Sequence, residues 1–344
     1  MPLSYRPMRP QDVGACVQAA AANPAYAIRY EPILVELERA LRRGLDLLAV
    51  RAVVFEESQA AKTRTLGYGV ATFLNDQFVL EIKQPPRFWI GVELAKRLAR
   101  GEMPLLNDDE LRLANTVGGL TVYSWLWVVL PREIERLEVR KHAMDSFAYQ
   151  MDGFLLKELV GQATTALELE TVIHSGGLLL GDDGRYGPAE KNCEDIYREP
   201  HVFGVQREHA LSRMGTWTSL LFVHRPPQIG FRPSEQRLLI EALRGGTDEE
   251  LAAELQISSS AVKKTWRLIY ERVQTNGLAI VEKTSYSEPE GDRGREKKHR
   301  VLAYVRLHPE ELRPISIKLL RQARHHSEER RAGRAPIRRR VRQI

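Results

Sequence analysis

The chain has 344 residues, of which 43% are hydrophobic and 28% charged, a length and composition typical of a globular protein with two domains. The longest apolar run, residues 120–130, is too short to cross a bilayer, and two distant cysteines, Cys16 and Cys193, exclude a disulfide framework. The net charge of +6 is concentrated in residues 313–344, where eleven Lys or Arg outnumber two Glu. No secretory signal opens the sequence, so we expect a cytoplasmic protein.

Residues 1–225 predict an α/β domain with a mixed sheet covered by helices, because short strand patterns are interspersed with longer helix patterns. The predicted strands are 3–9, 46–55, 66–74, 77–82, 120–130, 177–181 and 216–224. The predicted helices are 11–22, 31–43, 90–100, 108–116, 132–150 and 153–174. A stiff linker, residues 226–230, follows this domain.

Three helices with clear end signals are predicted after the linker. The first begins at Pro233 and ends at the glycine pair 245–246, since glycine tolerates the left-handed geometry of helix ends. The second starts at Thr247 with a capping box. A tight turn at 256–257 leads to Ser258, whose hydroxyl can cap the third helix.

The third helix, 258–273, separates its apolar and basic residues onto opposite sides. The apolar stripe consists of Val262, Trp266, Ile269 and Val273. The stripe must be buried against the first two helices, so the other side faces outward. That side, with the hydroxyls near the helix start, holds the candidate DNA-binding residues Ser259, Ser260, Lys263, Lys264 and Arg267.

Charge favours the same orientation. The second helix region, 247–255, carries four acidic residues and no base, whereas 258–273 carries four Lys or Arg and one Glu. A phosphate backbone therefore attracts the third helix and repels the second. The competing interpretation is an ordinary helical hairpin with a solvated lysine face.

The end of the chain is divided into two predicted segments, 281–320 and 321–344. Residues 281–320 are predicted to be a C-terminal extension, with a loop at 285–295 and a short helix at 297–307. Residues 321–344 are Arg-rich without an apolar period and are predicted to be a disordered basic tail. Such a tail either adds phosphate contacts or is simply solvated.

The segment 231–275 resembles the LuxR-type (GerE-like) helix-turn-helix domain of bacterial transcription regulators. The matching residues are Pro233, Glu235, 247–255, Ile257, Ser258, 261–263, Ile269, Arg272 and Val273. The family usually has Thr at the position of Arg232 and often has Thr, His and Leu at those of Ala261, Thr265 and Val273. None of these departures removes an outward cation. The resemblance implies that 231–280 forms a DNA-binding domain and that Lys263, Lys264 and Arg267 occupy groove-facing positions.

The N-terminal domain resembles the GNAT acetyltransferase fold, on the string 5–12 and on the order of a strand, two helices and a run of strands. Residues 64–69 also fit the R-x-x-G-x-G string of acetyl-CoA-binding proteins. That loop has to follow a strand and open a helix, whereas here it begins a predicted strand. We therefore expect no cofactor and a GNAT-like shell that acts as a sensor or dimerisation domain.

The sequence spacing does not fit other common catalytic or metal-binding motifs. The sequence has no P-loop, zinc-protease or nucleophile-elbow string, and its nine histidines are scattered, so we predict no catalytic and no metal-binding residues. Trp125, Trp127 and Tyr123 share one side of a predicted strand. They either pack in the core, which is the favoured interpretation, or line a ligand pocket.

The leading hypothesis is a transcriptional regulator, associated with the nucleoid and not an enzyme, that reads the major groove with helix 258–273. Its expected partners are double-stranded DNA, a second copy of the chain in a homodimer, and a small-molecule effector of unknown identity. The main alternative is a GNAT-like N-acetyltransferase with an appended DNA-binding domain. A third hypothesis is an RNA-binding or chromatin protein that uses the basic tail.

Overall fold

The computed structural model describes residues 2–59, 62–163, 166–187, 201–213, 215–276, 290–320 and 322. The chain divides into two compact units, Met1–Pro226 and Pro227–Ile344, each with a hydrophobic core of its own. In the described part of the chain, no helix is both long and apolar enough to cross a membrane. Cys193 and most of the predicted basic tail lie outside the described residues.

The first unit is built on an eight-stranded mixed sheet in the order β1-β2-β3-β4-β5-β8-β6-β7. The strands are β1 (Leu3–Pro7), β2 (Val50–Gln59), β3 (Lys62–Leu74), β4 (Leu120–Val129), β5 (Leu156–Ala163), β6 (Leu178–Leu180), β7 (Tyr186–Gly187) and β8 (His201–Gln206). The β4–β5 pair is parallel, and the other recorded pairs are antiparallel. This sheet and its helices confirm the predicted α/β class.

Ten α-helices accompany the sheet among the described residues of this unit. They are α1 (Val13–Ala22), α2 (Pro24–Tyr30), α3 (Leu34–Gly44), α4 (Asp76–Lys83), α5 (Ile90–Arg100), α6 (Asp108–Thr116), α7 (Leu137–Met151), α8 (Ala166–His174), α9 (Arg207–Ser212) and α10 (Trp217–Leu221). Alternate residues of a strand point to opposite faces of the sheet, and here both faces are buried by helices. Val54 of β2 packs in the main core, whereas Val53 and Phe55 pack with Val139 and Ala143 of α7.

Burial makes the thiol of Cys16 on α1 a poor nucleophile. Its side chain lies in the main core, and burial raises the pKa of the thiol to about 12. The neutral thiol behaves as a small apolar side chain there, since the thiolate is the reactive form.

Three predicted elements are wrong. Residues 77–82 form helix α4, for which Asn75 accepts a hydrogen bond from the Phe78 N–H as the N-cap. Residues 216–224, predicted as a strand, contain the short helix α10, capped by Thr216. The predicted helix 153–174 is a strand followed by a helix, β5 and α8.

The second unit is helical in its described residues. It contains α11 (Pro233–Leu243), α12 (Asp248–Leu255), α13 (Ser259–Thr275), α14 (Glu290–Leu307) and a 3₁₀ helix at Pro309–Leu312. Residues 290–295, predicted as a loop, belong to α14. Val301 and Val305 of α14 lie in the same core as α11, α12 and α13. The described residues of segment 290–320 therefore contribute to the core of this unit.

Two glycines of β3 are required by the close approach of β4. A Cβ atom built on Gly67 would lie 2.4 Å from the carbonyl oxygen of Val128, and one built on Gly69 would lie 2.6 Å from Cζ3 of Trp127. Real Cβ atoms do not approach other atoms so closely, so each glycine makes room for its neighbour. Gly67 meets backbone, which cannot move aside as a side-chain tip can.

We predict that Gly67→Ala destabilises the protein by about 1–3 kcal/mol, the usual cost of overpacking a core. Gly14→Ala is the matched control. A Cβ at Gly14 in helix α1 meets nothing within 4 Å, so that variant is expected to be as stable as the parent or up to about 1 kcal/mol more stable. Urea unfolding followed by circular dichroism measures both. Equal stability of the two variants would contradict the packing argument.

Candidate nucleic-acid interface

Four residues set the ends of α12 and the start of α13. Thr247 and Glu250 form a reciprocal capping box at the start of α12, with hydrogen bonds of 3.3 and 2.7 Å. Gln256 ends α12 in the left-handed conformation, at φ 54°. Ser258 then starts α13, its hydroxyl accepting a hydrogen bond from the Ala261 N–H at 3.2 Å. These caps and the turn are those predicted from the sequence.

The apolar stripe of α13 is buried along its whole length. Val262, Ile269 and Val273 are fully buried, and Trp266 is 4% exposed. All four pack in one core with residues of α11 and α12, such as Leu239 and Leu251. Trp266 is therefore a core residue, as the sequence predicts, and its ring stacks on Tyr270 with centroids 5.9 Å apart.

The five predicted contact residues are all exposed on α13. Lys263, Lys264 and Arg267 lie at positions i, i+1 and i+4, opposite the buried stripe. The part of the chain that the structure describes offers no ion-pair partner to Lys263 or Lys264. Arg267 pairs with Glu271 one turn away at 3.0 Å, but both side chains are more than half exposed. Such pairs contribute little, so Arg267 can exchange its partner for a phosphate.

The hydroxyls near the start of α13 lie beside these cations. The Ser258 and Ser260 hydroxyl oxygens are 2.9 Å apart, and Ser259 and Ser260 are both exposed in the first turn. The start of a helix also presents backbone N–H groups and the positive end of its dipole. The exposed first turn and the three cations thus form one surface suited to an anion. We call Ser259, Ser260, Lys263, Lys264 and Arg267 the basic face.

A buried ion pair holds α13 against α11. Arg272 donates to both carboxylate oxygens of Glu235, at 2.7 and 3.0 Å, and Glu235 is only 1% exposed. Glu235 also accepts a hydrogen bond from the Arg232 N–H at 2.7 Å, which caps the start of α11. The bidentate geometry restricts the rotation of α13 about its axis and so helps to direct the basic face outward.

Glu311, in the 3₁₀ helix Pro309–Leu312, contacts the first residues of this unit. Its carboxylate accepts hydrogen bonds from the backbone N–H groups of Gln228, Ile229 and Gly230, at 2.6, 2.8 and 3.0 Å. Burial raises the pKa of Glu311, and these three N–H groups oppose that rise. Glu311 is not predicted from the sequence, because an acid among charged residues near the end of a chain is usually solvated. The i, i+4 spacing of Val301 and Val305 is the signal that could have indicated packing of this segment.

The acidic helix α12 is partly neutralised by α14. Lys298 forms an ion pair with Asp248 at 3.0 Å and lies 5.2 Å from the centre of the Trp266 ring. Glu250 is used in the capping box. Glu249 and Glu254 remain exposed on α12, so an acidic surface still distinguishes this helix from α13.

The other candidate motifs do not form sites. The string 64–69 lies inside strand β3, as predicted, where Gly67 and Gly69 are packed against β4. Arg64 of the string forms ion pairs with Glu57 and Glu133 at 2.8 and 2.6 Å. No group of His, Cys, Asp or Glu among the described residues could hold a metal ion. Tyr123 and Trp125 pack in the core, whereas Trp127 is partly exposed and lines a pocket.

No family model and no curated protein matches this chain. Among solved structures, the chain is similar to the crystal structure of a mosquito arylalkylamine N-acetyltransferase like 5b. The identity is 14%, and the alignment covers 60% of this chain and 100% of that chain, with a TM-score of 0.29. A score this low carries no argument about fold or function.

We predict that Glu311→Ala loosens the second unit, because three successive N–H groups lose their acceptor. Two of them, on Ile229 and Gly230, are buried, at a cost of about 1–3 kcal/mol for each buried group left unpaired. Hydrogen exchange read by mass spectrometry should show faster exchange of the amides of residues 228–230. The control is Glu296→Ala on α14, which removes a partly exposed ion pair with Arg300 and is expected to change exchange little. Unchanged protection at 228–230 in Glu311→Ala would show that the carboxylate does not hold this segment.

Proposed function

We propose that the protein is a DNA-binding transcriptional regulator whose α13 enters the major groove, as in the LuxR-type domains that residues 231–275 resemble. The observation that carries the proposal is the division of α13 into a buried apolar stripe and an exposed basic face. A helix held this way by its core presents the same side chains to every ligand. The side that it presents is cationic and begins at a helix N-terminus.

The dimensions of α13 support a duplex rather than a small anion as the ligand. The helix has 17 residues and is therefore about 25 Å long, and a major groove about 12 Å wide admits one helix. Lysine and arginine are the side chains that bind guanine edges and phosphates. Lys263 and Arg267, one turn apart, would contact successive positions along the groove, with Ser259 and Ser260 near the phosphates.

The proposal includes a homodimer, because modules of this kind usually read two half-sites about one helical turn apart. It also assigns the first unit a sensing or dimerisation role. The symmetry of selected DNA sites tests the dimer, since a dimer selects paired half-sites and a monomer selects a single one.

We predict that Lys263→Ala and Arg267→Ala each weaken binding to a selected DNA site by about 1–3 kcal/mol, roughly tenfold or more. Each lost phosphate contact should also reduce the slope of log K against log salt by about 0.9. Fluorescence anisotropy at several salt concentrations measures both quantities with the full chain.

Arg237→Ala is the matched control for this experiment. Arg237 is an exposed cation on α11, a different helix from the one that carries the basic face, so its loss removes the same charge without removing a side chain of that face. We expect its effect on affinity to be below about twofold, in line with a distant screened charge. If Arg237→Ala weakened binding as much as Lys263→Ala, binding would follow net charge and the role of α13 would be wrong.

A titration with acetyl-CoA separates this function from the alternative of an acetyltransferase with a DNA-binding domain. We predict no saturable heat at micromolar acetyl-CoA, because the glycines of the 64–69 string are packed inside the sheet and leave no loop for a pyrophosphate. Glycines in a phosphate loop need backbone N–H groups free at a helix start. Stoichiometric acetyl-CoA binding would revive the enzyme hypothesis.

A further inference from the structure

A pocket lies in the first unit where strands β4 and β5 separate. The two strands pair only at 120–123 of β4, after which β4 continues beside β3 and β5 continues beside β8. The pocket has a volume of about 220 Å³ and is covered by α7, α8 and α10. Its main walls are Trp127, Phe147, Leu159, Phe203, Val205 and Trp217.

Several wall residues are held by packing and hydrogen bonds, so the space does not depend on loose packing. Trp127 is fixed by the close approach of Gly69 and by the ring of Phe55, 5.7 Å away between centroids. The Thr218 hydroxyl donates to the backbone oxygen of Ser175 at 2.9 Å, which joins α10 to the segment after α8. Pockets that are formed before binding are typical of small-molecule sites.

The chemistry of the lining selects an uncharged ligand. The pocket is lined almost entirely by apolar atoms, and none of its described lining residues is ionisable. Burial of an ionised group without a partner is costly, so a carboxylate or phosphate would be excluded.

The size of the pocket and the aromatic rings that line it favour a flat aromatic molecule of two fused rings. A dry apolar cavity of about 150 Å³ takes up benzene, so about 220 Å³ has room for a second ring. The aromatic side chains already pack ring against ring, with Phe147 at 5.1 Å from Trp127 and 6.2 Å from Trp217. A ligand ring can extend these pairs by edge or offset contacts.

We propose that this pocket is a binding site for an uncharged bicyclic aromatic molecule. The proposal does not depend on DNA binding by the second unit, and either can fail without the other. The probe is 2-naphthol, which is uncharged at neutral pH, titrated into the full chain by isothermal titration calorimetry. We expect one site with a Kd of about 10–100 μM, as ligand efficiencies for about eleven non-hydrogen atoms allow.

Two comparisons test the location and the chemistry of the site. Ala143→Phe places a ring in the pocket from α7 and should weaken 2-naphthol binding at least tenfold. Leu137→Phe, which adds a ring at a 70% exposed position of the same helix outside the pocket lining, should stay within about threefold. The second comparison needs no variant: 2-naphthoate, which has the same rings and a carboxylate, should bind the parent protein at least tenfold more weakly than 2-naphthol.

Circular dichroism and thermal unfolding show whether Ala143→Phe is folded. If it is not folded, the comparison of 2-naphthoate with 2-naphthol on the parent protein tests the proposal. Absence of saturable 2-naphthol binding up to 1 mM (about ten times the upper expected Kd) would overturn the proposal. Equal affinities for 2-naphthol and 2-naphthoate would overturn it as well. Unchanged binding by a folded Ala143→Phe would place the ligand elsewhere and reject this pocket.

Discussion

Burial of four side chains on α13 determines which way its cations point. Each of Val262, Trp266, Ile269 and Val273 gains about 1.5–3 kcal/mol when it leaves water, so turning the helix over would cost several kcal/mol. The exposed pair of Arg267 with Glu271 contributes about 0.3–0.5 kcal/mol by comparison. Packing therefore sets the direction of the basic face, because the exposed ion pair is too weak to do so.

Residues far apart in the sequence keep that packed arrangement in place. Arg272 on α13 and Glu235 on α11 form a bidentate pair that is almost completely buried. Removing either partner would leave an uncompensated charge, which is a stronger constraint than the pair's own net contribution. Glu311 acts similarly on the first residues of the unit, because its carboxylate is the acceptor for three successive N–H groups. The basic face thus rests on a unit that extends well beyond the helix pair itself.

Short-range sequence signals were sufficient to predict α11, α12 and α13, but not the elements at 77–82 and 216–224. Caps and turns act within four residues, so Thr247, Ser258 and the turn at 256–257 could be read from the sequence. Residues 77–82 and 216–224 are short apolar runs, whose spacing fits a strand as well as a buried helix turn, and the tertiary context decided for helix. Glu311 and the widening between β4 and β5 arise from contacts across the fold, and single-sequence periodicity carries no information about either.

The fold changes how strongly the acidic residues of α12 act on an approaching anion. From composition alone, four acidic residues at 247–255 repel a phosphate backbone. In the fold Asp248 is paired with Lys298, so much of its field is cancelled, while Glu249 and Glu254 stay exposed. Over a screening length of about 8 Å at physiological salt, those two carboxylates act only on phosphates that come close to α12. On the proposed function, their repulsion would discourage docking through α12 and would leave the attraction of Lys263 and Lys264 for phosphate largely intact.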